Sequence, residues 1–258
     1  MPILYFLIAF GSTTVGALTG MGGGVIIKPV CDIIGPYDAQ TIGVLACVTV
    51  FFMALVSLAK QMRQKTNFSA AISVPLSTGA VFGGAGGQRA LERIAAGLPG
   101  SHVTVTQNIV LALLIAVVFW YMLYKDKLPT LHLQGALAAA LSGVLLGFFS
   151  SFLGIGGGPI NVALLIFLFS FHIKTATVCS ILTILFSQIS KIATIMLDGG
   201  FIRYDLSMLP LMIAGAVLGG FLGAKLNKQL AEKTVERAFG AVQLLVLALC
   251  IINVFRNL

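Results

Sequence analysis

Ten apolar runs follow one another along the chain, at 3–19, 24–34, 40–60, 69–88, 106–124, 133–153, 157–171, 174–197, 204–224 and 235–256, with short intervals between them. A stretch of about 20 apolar residues is what a ~30 Å hydrocarbon core requires of a helix. The pattern predicts an all-α polytopic membrane protein without a soluble domain. Two intervals are glycine-rich rather than polar: Gly20-Met21-Gly22-Gly23-Gly24 and Gly154-Ile155-Gly156-Gly157-Gly158. A glycine in a helix interior costs about 0.8–1 kcal/mol relative to alanine, so such clusters end the helix. Broken backbone at membrane depth persists only where protein buries it or a watery cavity receives it. Breaks at matching places in two halves point to the binding site of a transporter.

The halves read as a repeat. At an offset of 134, Gly20, Gly22, Gly23, Gly24, Thr41, Val44, Thr49 and Phe52 fall on Gly154, Gly156, Gly157, Gly158, Thr175, Val178, Thr183 and Phe186. At 136, Gly79, Gly83 and Gly87 fall on Gly215, Gly219 and Gly223. Two repeats are expected, 1–127 and 128–258, forming one integrated transporter domain. Their relative orientation depends on whether the chain turns back at each cluster. As continuous helix, 3–34 would measure about 48 Å and 133–171 about 58 Å, more than one ~30 Å crossing uses. Loop charge is a second test, because basic residues collect on the cytoplasmic side. With a turn-back, Lys60, Arg63, Lys65, Lys125, Lys127, Lys174, Lys225, Lys228, Lys233 and Arg237 share one side. The other side then holds Arg89, Arg93, Arg203 and Arg256, ten against four; without a turn-back the split is seven and seven. The expectation is two inverted repeats, each a glycine-broken re-entrant helical hairpin plus three membrane-crossing helices, with both termini extracytoplasmic.

Composition agrees: 58% of the 258 residues are hydrophobic and 9% charged. The net charge of +8 sits mostly in short loops, where it sets topology and faces anionic lipid; no nucleic-acid partner is implied. Cys31, Cys47, Cys179 and Cys250 are scattered without a CxxC, and His102, His132 and His172 are isolated, so neither disulfides nor a metal centre are expected. No GxxxxGK[ST], HExxH or GxSxG occurs, and Val25 breaks a GxGxxG, so no nucleotide loop, cofactor or enzyme chemistry is predicted. The start, Met1-Pro2-Ile3, lacks a basic region, and no cleaved signal peptide is expected.

A turn-back places a half-helix start near mid-membrane after each cluster. The N–H groups of Gly23, Gly24 and Val25, and of Gly157, Gly158 and Ile160, then lack intrahelical acceptors at an end carrying about half a positive charge. Pro159 suits such a first turn. Gly22, Gly23, Gly24, Gly156, Gly157 and Gly158 are therefore candidate anion-binding positions, the alternative being glycines that only permit close packing. Ser12, Thr13, Thr14, Thr19, Ser150, Ser151 and Asn161 could complete the cradle, although membrane Ser and Thr also bond their own i−4 carbonyls. Lys28 and Lys191 lie inside apolar runs, where an ionisable group is a functional candidate. The competing roles are pairing with Asp32 at i+4 for Lys28 and snorkelling for Lys191. Thr49, Thr183, Ser187 and Gln188 could line the same cavity. The Gly79-Gly83-Gly87 and Gly215-Gly219-Gly223 stripes are small-xxx-small packing faces, used within the chain or across a homodimer.

Gly20-Met21-Gly22-Gly23-Gly24-Val25-Ile26-Ile27-Lys28-Pro29 and Gly154-Ile155-Gly156-Gly157-Gly158-Pro159-Ile160-Asn161 resemble the duplicated glycine motifs of the TauE/SafE sulfite exporter family, also called 4-toluene sulfonate uptake permeases. The start of the following helix, Lys174-Thr175-Ala176, is similar as well. The resemblance implies a multi-pass inner-membrane secondary transporter of a small, often sulfur-containing anion such as sulfite or a sulfonate, proton-coupled and without ATP. Alternating access around a midplane site would be its mechanism. An anion channel, or a membrane partner that delivers a sulfur compound to an enzyme, remain the alternatives.

Overall fold

The computed structural model describes residues 2–35, 37–63, 70–97, 100–125, 127–155 and 158–257. Within them the chain forms α1 (Pro2–Thr19), α2 (Gly24–Ile34), α3 (Ala39–Arg63), α4 (Ala70–Gly97), α5 (Gly100–Tyr124), α6 (Ala136–Phe152), α7 (Pro159–Phe169), α8 (Ile173–Leu197), α9 (Leu209–Gln229) and α10 (Glu232–Asn257), with a 3-10 turn at Phe201–Arg203. Each apolar run carries one helix. Their ends shift where polar contacts extend or cap them. α4 continues past its apolar run to Gly97, where Gln88 donates to Glu92 one turn on (2.6 Å). α9 begins only at Leu209, because the 3-10 turn and a tight turn in which the Asp205 carboxylate accepts the Ser207 N–H (3.0 Å) occupy the residues before it.

Among the described residues six helices are long and apolar enough to cross a membrane: α1, α3, α5, α8, α9 and α10. α4 is not one of them although it has 28 residues; its uncharged part, 70–87, is rich in glycine, alanine, serine and threonine, and Arg89, Glu92 and Arg93 follow. α3 and α8 form the centre, with 72% of each span buried against 33% for α5 and α10. They run antiparallel. Gly43 near the start of α3 faces Lys191 near the end of α8, and Leu58 and Val178 share an apolar cluster at the other end.

The chain doubles back at the first glycine cluster. Gly23 lies against Thr13 of α1, and Tyr37 beyond α2 packs edge-on against Tyr5 at the start of α1, with ring centroids 5.9 Å apart. The second hairpin closes in the same way. The Leu131 and Leu133 N–H groups before α6 donate to the Phe167 and Leu168 carbonyls at the end of α7 (2.9 and 2.7 Å). α2 and α7 have 11 residues each, about 16 Å of helix, too short to cross ~30 Å alone.

Each hairpin's first helix is clasped by a helix of the other half. Gly79, Gly83 and Gly87 of α4 press on the Ala140, Val144 and Phe148 carbonyls of α6, and Gly143 and Gly147 of α6 press back on Leu76 and Ala80. Gly215, Gly219 and Gly223 of α9 meet the backbone of α1 at Phe6, Phe10 and Thr14. Both stripes are therefore spent inside the chain, where backbone-to-backbone approach gains dispersion that lipid cannot supply.

Two substitutions one turn apart separate packing from propensity. Gly86 has only the Phe148 ring at 3.8 Å from its Cβ position, so Gly86→Ala gains helix propensity and leaves thermal unfolding unchanged or slightly raised. Gly83→Ala drives a methyl into the Val144 carbonyl and destabilises by about 1–3 kcal/mol, read as a lower melting temperature in detergent.

Candidate functional site

The first break is a tight reversal. Gly20 and Gly22 hold φ of +79° and +73°, a left-handed backbone that side-chain-bearing residues resist. Their N–H groups both reach back to the Gly16 carbonyl (2.9 and 3.4 Å). The carbonyls left at the end of α1 are satisfied from across the interface. Asn227 of α9 donates to Leu18 O (2.6 Å), Thr177 of α8 to Thr19 O (3.3 Å) and Ser180 to Gly20 O (2.6 Å). The donors are treated differently. Ile26 and Ile27 close onto the Gly23 carbonyl, whereas the N–H groups of Gly23, Gly24 and Val25 have no acceptor among the described residues. α2 thus begins with the Leu18, Thr19 and Gly20 carbonyls paired and, among the described residues, its own first donors open at the positive end of its dipole.

The second break repeats the device. Gly154 has φ of +67° and donates to Ser151 O (3.1 Å), while Gln107 of α5 donates to Phe152 O (2.8 Å). Gly156 and Gly157 lie outside the described residues. α7 starts at Pro159, and Asn161 N–H bonds Gly158 O (3.1 Å), leaving Ile160 N–H without an acceptor among the described residues. The Asn161 side chain is buried, and its Nδ2 has no hydrogen-bond partner among the described residues. The turns touch. A Cβ on Gly24 would overlap the Ile155 carbonyl, so one glycine turn rests directly on the other.

Both lysines reach this contact. Lys28, 2% exposed, runs its stem past the second turn, with Cδ and Cε 3.6 and 3.8 Å from the Cβ position of Gly154. Its Nζ stands 3.9 Å from Asp32 Oδ1 and makes no hydrogen bond among the described residues. Lys191, also 2% exposed, points its Nζ to within 3.8 Å of the Cβ position of Gly43, and Gly43 in turn lies 3.6 Å from that of Gly154. Lys191 is therefore buried in the protein rather than snorkelling to lipid. Asp32 is the only carboxylate beside Lys28 among the described ion pairs, and Glu92 lines the small cavity against Lys191.

Lys191 also lines the foot of an approach. A polar vestibule of about 310 Å³ is bounded by Asp38, Gln40, Thr41, Glu92, Asp198, Arg203 and Tyr204. It narrows, between Gln40, Gln88, Glu92 and Tyr204, to a cavity of about 10 Å³ against Lys191 and Gly43. Such a space holds at most about one water. Burial and the nearby Glu92 push the Tyr204 phenol above its usual range, so it stays a neutral hydrogen-bond donor at the neck.

The structure gathers Gly23, Gly24, Lys28 and Lys191 around the contact of the turns. Thr49 adjoins Val50, which touches Gly24, and its buried hydroxyl has no hydrogen-bond partner among the described residues. Ser150, Ser151, Ser187 and Gln188 form one cluster where α6 ends against α8, with Ser151 to Ser187 and Gln188 to Ser150 both at 3.4 Å. Other hydroxyls are engaged within their own helices. Thr13, Thr14, Thr19 and Thr183 donate to Ala9, Phe10, Val15 and Cys179, and Thr14 faces α9. Gly22 shapes the turn, and Gly158 precedes α7 in extended backbone. Lys65 also lies outside the described residues. The vestibule residues escaped the sequence because they sit at helix ends, where polar side chains look interfacial; the Gln88–Glu92 spacing was their one signal.

A family model described as "Sulfite exporter TauE/SafE" matches residues 5–250. "Probable membrane transporter protein YunE" of Bacillus subtilis is 31% identical over 118 residues, 45% of this chain and 41% of its own length. "Probable membrane transporter protein MamO" of Magnetospirillum gryphiswaldense is 27% identical over 113 residues, 42% of this chain and 18% of its own length. The matched region thus spans less than half of either relative. No solved structure matches.

The contacts around the two half-helix starts rank two substitutions. At Gly158 the nearest atom to a new Cβ is the flexible Ile155 Cδ1 at 3.1 Å, so Gly158→Ala folds normally. Gly24→Ala forces the turns apart. It is expected to lower the melting temperature and to weaken small-anion binding, measured by calorimetry on purified protein, at least about tenfold more than Gly158→Ala does.

Proposed function

The chain belongs to the sulfite exporter TauE/SafE family of membrane transporters, and on that premise we propose that it is a secondary transporter of a small anion of the sulfite or sulfonate type. One observation carries the proposal: at the first break the carbonyls of Gly16, Leu18, Thr19 and Gly20 each have a donor, while the three consecutive N–H groups of Gly23, Gly24 and Val25 have no acceptor among the described residues, on the helix that carries the buried Lys28. Oriented N–H groups at a helix start with nearby ammonium groups suit an oxyanion and repel a cation. The oxygens of sulfite or a sulfonate can each take a separate donor.

The halves 1–127 and 128–258 work as inverted repeats in this reading. The antiparallel course of α3 and α8, whose residue ranges are offset by 134, supports it, as does the reciprocal clasp of α1 by α9 and α6 by α4. The ten-to-four loop charge bias puts the termini and the vestibule of Glu92 and Arg203 on the extracytoplasmic side of the cell membrane. The neck above Lys191 is too narrow for a sulfite ion. Transport therefore requires α4 and α8 to part from α3 on one side and to close again before the other side opens. Protons are the coupling ion, and no cofactor takes part.

Proteoliposomes test this. Sulfite flux should saturate, exceed acetate flux, and rise with an imposed pH gradient. Lys191→Met should weaken half-saturation about 10–100-fold, the value of a lost charge-assisted hydrogen bond. Flux that ignores the gradient and does not saturate would identify a channel, and equal flux in empty liposomes would sink the proposal.

A further inference from the structure

We propose that Asp32 carries the coupled proton and that the bound anion, by taking Lys28 away from it, makes the protein a symporter. The inference rests on the anion-site reading above. Asp32 lies on α2 two turns from the glycine break, its side chain 2% exposed. Its neighbours are few. Lys28 Nζ stands 3.9 Å from Oδ1, and Asn108 of α5 donates to Oδ2 at 3.4 Å. The Cys31 thiol on α2 and the Cys250 thiol on α10 lie beside it. Asn253 of α10 completes the group by donating to Pro29 O (3.0 Å) and Asn108 Oδ1 (3.4 Å), and Arg256 of α10 is engaged with the Ile33 carbonyl. Lys28 is thus the one cation within ion-pair distance of Asp32 among the described residues.

That pair is incomplete by construction. At 3.9 Å without a hydrogen bond, Lys28 neutralises Asp32 but keeps its three N–H donors unused among the described residues. Its stem already lies along the second glycine turn, so a small swing of the ammonium changes its partner from Asp32 to an anion held at the turns. A buried carboxylate that loses its cation is costly, and it takes up a proton instead of staying charged. The proton enters with the anion from the open side and binds an Asp32 carboxylate oxygen. When the anion leaves on the other side, Lys28 returns, the carboxylate releases the proton to that side, and the original pair is restored. Anion and proton favour one another's binding, and by reciprocity the coupling has equal strength in both directions. They travel the same way, one proton per anion, and a monoanion crosses without net charge.

Methanesulfonate is the probe, because it binds no proton of its own near neutral pH. In weakly buffered detergent solution, wild-type protein should take up about one proton per anion bound. In proteoliposomes, wild type should accumulate methanesulfonate under an inward proton gradient. Asp32→Asn should still exchange it by counterflow, with a several-fold lower half-saturation because Lys28 is freed, while gradient-driven accumulation falls at least about tenfold. Asp32→Glu should recover part of that drive. An Asp32→Asn protein that exchanges and still accumulates, or wild type that binds the anion with proton release or no proton change, overturns this inference alone. Wild type that exchanges neither methanesulfonate nor sulfite overturns the anion-site reading, and this inference with it.

Discussion

An unpaired peptide group in hydrocarbon costs several kcal/mol, and that requirement governs everything around the two glycine breaks. Stopping α1 inside the membrane frees carbonyls at its end and N–H groups at the start of α2. The protein spends three polar side chains, Asn227, Thr177 and Ser180, on the carbonyls of Leu18, Thr19 and Gly20. At the other hairpin Gln107 does the same for Phe152. The N–H groups get no such help from the described residues. A break whose two sides were both satisfied internally would be a structural kink. Here the described side chains cap acceptors and leave the donors open.

Side-chain caps can arrive only if the capping helices come close, which explains the glycine stripes. Asn227 reaches Leu18 because Gly215, Gly219 and Gly223 let α9 lie against the backbone of α1. On the opposite flank, Gly84 of α4 lets the end of α6 and the Ser187–Ser190 turn of α8 converge, and Ser190 caps the Val81 carbonyl of α4 at 2.6 Å. Packing and polar satisfaction are one arrangement here. The small residues set the distance, and the hydroxyls and amides use it. The same closeness makes the centre stiff, so movement is more easily placed at the vestibule neck, where side chains rather than backbones meet.

Much of this was legible in the sequence because it depends on residue types with few other uses. Glycine clusters in apolar runs forecast the two turn-backs, and lysines in apolar helices forecast a charged centre. The helix count followed from hydrophobic length alone. Less legible was anything that depends on which face a polar residue presents. Thr14 and Ser150 are both hydroxyls in the last two turns of a hairpin's first helix, yet Thr14 bonds its own helix beneath α9 while Ser150 meets Gln188. Only the helix rotation separates them. The vestibule was hidden for a similar reason: Asp38, Glu92, Asp198 and Tyr204 come from three separate helix ends and a turn, brought together by tertiary packing.

The duplication is a property of the backbone and not of the chemistry. Moving 134 positions along the chain carries the first glycine turn onto the second, but it carries Lys28 onto Val162 and Asp32 onto Ile166. In the reverse direction Lys191 falls on Ser57 and Asn161 on Ile27. Each half thus supplies a helix start, and each ionisable group of the centre occurs once. Two equal sites would be expected if both turns had kept the same polar side chains. Instead Lys28 crosses from its own half to lie along Gly154, where the equivalent contact in the first half, Gly20 against Thr177, is closed by a threonine. In the transport reading proposed above, the repeat would supply two alike gates, and its local loss at Lys28, Asp32 and Lys191 one site between them. An alternating-access device needs both, because the gates must be alike enough to exchange states while the ligand has a single place to be held.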